Sequence, residues 1–201
     1  MTAVERRRAI VVAGHRGDAR LALVHLADTD AGVREAALGA LDRIGSLTDE
    51  QVSTALQDPS PIVRRRAAML AARRPAIGLL PLLHDDDPTV VELAAWACGE
   101  QERIDDATLE QLIVLATEAA DPLVRESAAA ALGAIGDERG LPAILTATTD
   151  KPNVRRRAVL ALAPFDGPEV EAAIDRALTD RDWQVRQAAE DLRRAAGEVD
   201  I

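Results

Sequence analysis

The sequence contains almost no aromatic residues and only one cysteine. Two Trp, one Phe and no Tyr make up about 1% of its 201 residues, whereas apolar residues reach 48%. A core without rings must be built from Ala, Leu, Val and Ile, and Ala has the highest helix propensity of all residues. The composition therefore predicts an all-α protein. Because Cys98 has no second cysteine to pair with, an internal disulfide is excluded, which suits a reducing compartment.

Long apolar runs are also absent, and the net charge is strongly negative. No stretch approaches the roughly 18–20 apolar residues that a membrane-spanning helix needs. The short apolar run at residues 9–13 is followed by His15 and Arg16 without a cleavage-like site, so we do not expect a signal peptide. A formal charge of −10 disfavours nucleic acid as a partner, because an acidic field repels phosphates. We predict a cytoplasmic protein that does not enter a membrane.

Residues 121–137 (DPLVRESAAAALGAIGD) have the pattern of one helix with both ends marked. Asp121 can cap the first turn, and Pro122 suits the first helical position, where no N–H group is needed. Gly136 can adopt the left-handed conformation that ends a helix. Apolar residues at helical spacing between these ends form one stripe, made by Val124, Ala128, Ala131, Leu132 and Ile135. We call this pattern the marked helix.

Copies of the marked helix recur along the chain. They align on valines spaced by 30, 27, 34, 30 and 31 residues, namely Val33, Val63, Val90, Val124, Val154 and Val185. We number positions from this valine. An arginine occupies position +1 in five copies: Arg34, Arg64, Arg125, Arg155 and Arg186. An alanine occupies position +4 in all six: Ala37, Ala67, Ala94, Ala128, Ala158 and Ala189. Such a period predicts stacked helix pairs, in which each marked helix follows a less regular first helix.

We predict a single domain over residues 1–201. Residues 1–16 are expected to form an N-terminal capping helix, because Arg6-Arg7-Arg8-Ala9 matches the start of the marked helices at Arg64 and Arg155. Six repeats are expected to follow at about residues 17–45, 46–74, 75–103, 104–136, 137–165 and 166–197. The unusually polar last helix suits a terminal cap.

The repeats resemble the HEAT-repeat superfamily, and most closely the HEAT-like repeat of phycobilin lyases. The units of that family read Asp-Pro-x-Val-Arg-x-x-Ala-Ala-x-Ala-Leu-Gly-x-Ile-Gly-Asp, and residues 121–137 match this pattern almost throughout. The resemblance implies a right-handed α-solenoid, an armadillo-type superhelix, whose marked helices line the concave side. It is specific for fold and weak for function, because unrelated proteins use this repeat.

The same resemblance gives the arginine column a structural role. In HEAT proteins such arginines commonly form a ladder, each one pairing with a carboxylate or carbonyl group of a neighbouring unit. We therefore expect a structural ladder from Arg34, Arg64, Arg125, Arg155 and Arg186. The third repeat breaks this column, because Val91 occupies its arginine position.

Positions +2, +6 and +9 are predicted to point away from the core, and we call this side of the marked helices the open face. Large apolar residues occur there among charges, as expected for interface anchors. The candidate partner site comprises Arg65, Met69, Glu92, Trp96, Glu100, Arg156 and Leu160. An alternative stays open: solenoid curvature could bury Met69, Trp96 and Leu160 against neighbouring helices. Trp183, in place of the turn proline of the last repeat, is predicted to pack over its turn.

No reactive constellation emerges from the sequence, so we predict no catalytic residue, metal or cofactor. His15, His25 and His84 are scattered, and Cys98 is best explained as a small buried thiol. Each of the three arginine triplets (residues 6–8, 64–66 and 155–157) is interpreted as one ladder arginine with two solvated neighbours, rather than as a set of phosphate contacts. Asp85-Asp86-Asp87 is read as a solvated loop and cap.

These features favour a non-catalytic interaction or scaffold module that binds a protein partner through its concave face, as a monomer or with weak self-association. Two alternatives come from the resemblance. One is a HEAT-like lyase or chaperone-type accessory subunit for a tetrapyrrole protein. The other is a DNA-glycosylase-like nucleic-acid binder, for which Trp96 and Glu100 share one helical face. The question of enzymatic activity stays open, and the identity of the partner does not follow from the sequence.

Overall fold

The structure is a computed structural model that describes residues 1–199. Over these residues the chain forms twelve α-helices and three short 3₁₀ helices, and it contains no β-strand. The all-α repeat class predicted from the sequence is therefore confirmed.

The helices alternate as the repeat pattern predicts. The marked helices are α1 (Ala3–Arg16), α3 (Ala31–Ile44), α5 (Pro61–Ala71), α6 (Pro88–Glu100), α8 (Pro122–Ile135), α10 (Pro152–Ala161) and α12 (Trp183–Val199). The first helices of the pairs are α2 (Ala19–Val24), α4 (Asp49–Ala55), α7 (Asp106–Glu118), α9 (Leu141–Ala147) and α11 (Pro168–Leu178). The 3₁₀ helices span His25–Ala27, Leu80–His84 and Glu138–Gly140.

The ends of the marked helices follow their sequence signals. The Asp121 carboxylate accepts the N–H of Leu123 at 2.9 Å, and Pro122 opens α8. At the other end Gly136 adopts a left-handed conformation, with φ of 69°, and its N–H donates to the carbonyl of Leu132. The caps thus pair backbone groups that the helix itself leaves free.

The third repeat departs from the predicted helix pair. Its first element is the 3₁₀ helix Leu80–His84 instead of an α-helix. Pro75, Gly78 and Pro81 lie within seven residues here, and each proline removes a backbone donor that an α-helix would use. The segment still supplies core residues, since Ile77, Leu79, Leu82 and Leu83 are buried.

The chain divides into two compact units, one comprising residues 1–94 and the other beginning at Ala95. In the first unit α1 packs on α3, and α3 packs on α5. In the second unit α8 packs on α10, α10 packs on α12, and the first helix α7 lies against α8. The marked helices of these four pairs are therefore neighbours in space, as stacked repeats require.

The core of both units is built from the aligned columns. Every column valine is at most 3% exposed, and all six alanines at position +4 are fully buried. Cys98 occupies position +8, where other repeats place Leu41, Leu132 and Leu162, and it is fully buried as well. These small and branched residues fill the interior that aromatic rings fill in other proteins.

A second contact column was not expected from the sequence. Position +9 was predicted to face away from the core, yet Gly133 is buried and lies on Ala161 at position +7 of the next marked helix. A Cβ atom built on Gly133 would lie 2.6 Å from the Cα of Ala161. Two other helical glycines at position +9 meet a +7 alanine in the same way: Gly14 meets Ala40, and Gly99 meets Ala131. Neighbouring marked helices thus approach to backbone contact near their C-terminal ends.

Candidate functional site

The arginines at position +1 make one repeated arrangement. Arg34 donates from Nε and Nη2 to the two carboxylate oxygens of Asp58 at 2.8 and 2.7 Å, and from Nη1 to the carbonyl of Asp28 at 2.8 Å. Arg64 repeats both contacts, with Asp85 and with the carbonyl of Asp58. Each guanidinium therefore joins its own turn to the turn of the next repeat through a bidentate ion pair.

The second unit contains the same arrangement. Arg125 pairs with Asp150, and Arg155 pairs with Asp180 at 2.9 and 2.7 Å. Arg155 is only 6% exposed, and among the residues that the structure describes no other charged residue is buried to this extent. Arg186, in the last repeat, donates to the carbonyl of Asp180.

The carboxylates of these pairs also hold the turn that precedes each marked helix. Asp58 accepts the N–H of Ser60 at 2.8 Å, and Asp180 accepts the N–H of Asp182 at 2.8 Å. Hydrogen bonds from the Arg155 guanidinium and from the backbone N–H of Asp182 lower the pKa of Asp180 below its usual range. Arg34, Arg64, Arg125 and Arg155 thus have both their charges and their donors engaged between turns, whereas Arg186 donates to backbone carbonyl groups.

These pairs predict a specific acid sensitivity. The hydrogen bond from Arg6 lowers the pKa of Asp28 to about 2, and the hydrogen bond from Arg155 lowers that of Asp180, compared with about 3.9 for an unfolded Asp. The unfolded chain therefore binds more protons in this range, and stability should fall as the pH decreases from about 5 to about 2. Urea midpoints measured across this range should show a shallower fall for Asp180→Asn than for the wild type. Asp166→Asn, at an exposed aspartate of the same unit, should keep the wild-type slope; equal slopes for all three proteins would contradict the assignment.

Sequence reasoning missed two parts of this arrangement. The first is the acceptor column: Asp85 is a partner of Arg64 rather than part of a solvated run. The second is Arg6 of α1, which pairs with Asp28 at 2.7 Å. A signal for both existed, because Asp28, Asp58, Asp85 and Asp180 each stand three residues before the first residue of a marked helix.

The open face of the first unit contains a groove of about 300 Å³, which we call the arginine groove. It is lined by Arg7, Glu35, Ile62, Arg65, Arg66, Met69 and Leu93. Glu35 is the carboxylate of this lining, and it pairs with Arg66 at 2.9 Å and with Arg7 at 3.7 Å. Two of the apolar side chains remain accessible, with Ile62 50% and Met69 37% exposed. The groove thus combines three arginines, one carboxylate and an apolar floor.

Arg65 differs from its neighbours in this groove. Its Nε atom is buried and has no hydrogen-bond partner among residues 1–199. A buried donor without a partner is uncommon in folded proteins, because it has lost its water without gaining a replacement. Arg65 is therefore the side chain of the groove with the clearest unmet bonding capacity.

The open face of the second unit contains a smaller groove of about 180 Å³, which we call the tryptophan groove. Its lining includes Arg156, Leu160, Trp183, Gln187 and Asp191. Trp183 is 64% exposed, so most of its surface is accessible, and its packing over the turn stays a prediction. Arg156 lies 3.9 Å from Glu126, which also accepts a hydrogen bond from Asn153 at 2.8 Å.

The seven residues predicted to bind a partner are thus distributed over several places. Arg65 and Met69 line the arginine groove, and Arg156 and Leu160 line the tryptophan groove. Glu92, Trp96 and Glu100 lie on α6 outside these two linings. Trp96 is 38% exposed and Leu160 is half-buried, so the open face exposes its large apolar residues in part.

Potential metal ligands and the single cysteine are the groups that bear on reaction chemistry. Across the described residues, no three His, Cys, Asp or Glu side chains are grouped so that they could hold a metal ion. Burial raises the pKa of the Cys98 thiol to about 12, which leaves it protonated and unreactive at neutral pH. Among the described helices, none has the length and apolar character to cross a membrane.

Comparisons with known proteins agree with this architecture. Residues 76–163 match the family of HEAT repeats. A designed armadillo repeat protein in complex with the peptide (KR)4 is similar in structure, with a TM-score of 0.64 and 18% identity over 87% of this chain and 97% of that chain. An engineered protein gives a TM-score of 0.63 and 21% identity over 87% and 96% of the two chains. A second designed armadillo repeat protein gives 0.61 and 18% over 85% and 96%.

Residues 76–163 are therefore similar to HEAT repeats in sequence, and at such identities the structural neighbours inform the fold alone. No curated protein matches the chain in sequence. Nothing in the matches points to the phycobilin lyases, so that finer resemblance stays a prediction.

Proposed function

We propose that this chain is a non-catalytic interaction module that holds a protein partner against the open, concave face of its marked helices. The observation that carries the proposal is the exposure of large apolar residues on that face, with Met69 and Trp96 exposed by 37% and 38%. In a chain with two tryptophans and one phenylalanine, such residues on a charged surface have the character of interface anchors. Repeat solenoids commonly bind through this surface, and the similar designed armadillo repeat protein is in complex with a peptide.

The proposal predicts a strong effect of Trp96→Ala on partner capture. Truncation of a central interface tryptophan commonly costs about 2 kcal/mol or more, so we expect the affinity for the partner to fall by about thirtyfold or more. The measurement is quantitative mass spectrometry of proteins that crosslink to the tagged chain in native lysate. Val114→Ala removes an exposed apolar side chain from the first helix α7 and serves as the matched control. Equal capture by the Trp96→Ala variant and the wild type would remove Trp96 from the site.

Two functions inherited from the resemblance can be distinguished from this proposal by other measurements. A role as a HEAT-like lyase or accessory subunit for a tetrapyrrole protein requires a change in visible absorbance when tetrapyrrole and chain are mixed. A DNA-glycosylase-like role requires a gel shift that weakens with added salt. A net charge of −10 favours the protein partner over nucleic acid, because the field of the whole chain repels phosphates.

A further inference from the structure

We propose that the arginine groove of the first unit binds an acidic peptide segment that carries apolar side chains. The inference rests on the proposed interaction function and names the chemistry of the partner that one surface selects. It follows from three features of the groove: its local charge, the unmet bonding capacity of Arg65, and its apolar floor.

The charge of the groove is opposite to that of the whole chain. Arg7, Arg65 and Arg66 face a single carboxylate, Glu35, in a protein whose formal charge is −10. Glu35 is shared between Arg66 and Arg7, at 2.9 and 3.7 Å, so it cannot neutralise three arginines. The side chain of Arg7 is 60% exposed and its guanidinium is accessible to a ligand. A local excess of positive charge on an acidic protein favours an anionic partner at this place and disfavours a basic one.

Arg65 supplies the specific contact. In the same repeat Arg64 donates hydrogen bonds from Nε and Nη2 to the two carboxylate oxygens of Asp85, at 2.6 and 2.8 Å. This contact shows how an arginine of this fold binds a carboxylate. Arg65 carries the same pair of donors, but its Nε atom is covered and unpaired within the described chain. A peptide carboxylate that reaches Arg65 would give this donor the partner it lacks, after a rotation of the side chain that presents its two nitrogens outward.

The apolar side chains that line the groove favour a ligand that carries apolar as well as acidic residues. Ile62 is 50% and Met69 is 37% exposed, and Leu93 closes the lining on α6. Burial of an aliphatic side chain against these residues is favourable, and the flexible thioether of Met69 can adapt to different shapes. An acidic segment with spaced aliphatic residues would satisfy both the arginines and the floor, whereas a purely acidic segment would leave the floor exposed.

Fluorescence anisotropy with three labelled peptides tests the inference on the full chain. The peptides are four repeats of Glu-Leu, of Lys-Leu and of Glu-Ser. The wild type is expected to bind the Glu-Leu peptide at least about tenfold more tightly than either of the others, and this affinity should weaken as salt is added. Equal or tighter binding of the Lys-Leu peptide would overturn the charge assignment without any variant.

Variants place the binding in the groove. Arg65→Glu should weaken Glu-Leu binding by about tenfold or more, and Met69→Ala should weaken it while leaving Glu-Ser binding unchanged. Arg20→Glu makes the same charge change on an exposed residue of α2 and should have a much smaller effect. Arg65→Gln keeps the polarity of the side chain and replaces Arg65→Glu should that variant fail to melt cooperatively. Equal losses for Arg65→Glu and Arg20→Glu would mean that only long-range charge matters, and the site would be wrong.

The result also separates this inference from the proposed function. If no acidic peptide binds while Trp96 remains necessary for partner capture, the arginine groove is not the peptide site and the interaction function stands. If the Glu-Leu peptide binds as described but Trp96→Ala leaves partner capture unchanged, the groove is confirmed and the assignment of Trp96 fails.

Discussion

Asp180→Ala should lower the free energy of unfolding by about 2–4 kcal/mol. The change leaves the guanidinium of Arg155, 6% exposed, without its carboxylate, and it removes the acceptor of the Asp182 N–H. Loss of one partner from a buried ion pair commonly costs about 3–5 kcal/mol, and the remaining exposure of the Asp180 side chain, 15%, places the expected value somewhat lower. The change in the free energy of unfolding is measured by urea denaturation, with circular dichroism as the signal.

The double variant Arg155→Val/Asp180→Ala provides the matched control. It removes both charges, so no uncompensated charge stays buried, and its cost should be clearly smaller than that of Asp180→Ala. The sequence itself contains the same pair of replacements. In the third repeat Val91 occupies the position of the column arginine, and Ala119 occupies the position of its aspartate partner, two residues before Asp121. A double variant as unstable as the single one would show that the ion pair contributes net stability beyond charge compensation.

The periodic part of the fold was predictable from the sequence because each signal is local. A cap, a proline and a glycine mark the ends of α8 within residues 121–137, and the valine and alanine columns report which side of the helix is buried. These features depend on residues three or four positions apart, which a helix brings together without help from the rest of the chain.

Other features required the structure because they depend on contacts between repeats. The pairing of Arg34 with Asp58 joins residues 24 positions apart, and only the stacking of helices decides which aspartate faces which arginine. The exposure of Met69 and the burial of Gly133 likewise depend on how closely the next marked helix approaches. Helical periodicity gives the direction of a side chain but not the distance to a neighbouring helix.

The candidate site was predicted in part for the same reason. Arg65 and Met69 were placed on one face of one helix, and the groove contains both. Arg7, Glu35 and Arg66 were not assigned to it, although they occupy positions +2 or +3 of neighbouring marked helices. A groove across several helices gathers residues from separate repeats, and a search along one helix at a time does not find them.

Gly133→Ala should destabilise the chain by about 1–3 kcal/mol, although alanine is the better helix former. A Cβ at this position would lie 2.6 Å from both the Cα and the Cβ of Ala161, so α8 and α10 must move apart. The backbone of Ala161 cannot rotate away as a flexible side chain could. Separation of the two helices also weakens the packing around the buried Ala128 and Ala158. The free-energy cost of overpacking should therefore exceed the gain of roughly 1 kcal/mol in helix propensity.

Gly197→Ala distinguishes packing from propensity. Gly197 is exposed in α12, and a Cβ there would meet no atom of the described residues within 4 Å, so this substitution should be neutral or stabilising by up to about 1 kcal/mol. Thermal and urea unfolding of the two variants should therefore shift in opposite directions. Gly14 and Gly99 meet Ala40 and Ala131 in the way that Gly133 meets Ala161. Gly99→Ala should therefore also destabilise the chain, but by less than Gly133→Ala, because its Cβ would lie 2.9 Å from the Cα of Ala131. A Gly133→Ala variant as stable as Gly197→Ala would mean that marked helices do not meet at backbone distance, and the close stacking of the second unit would have to be revised.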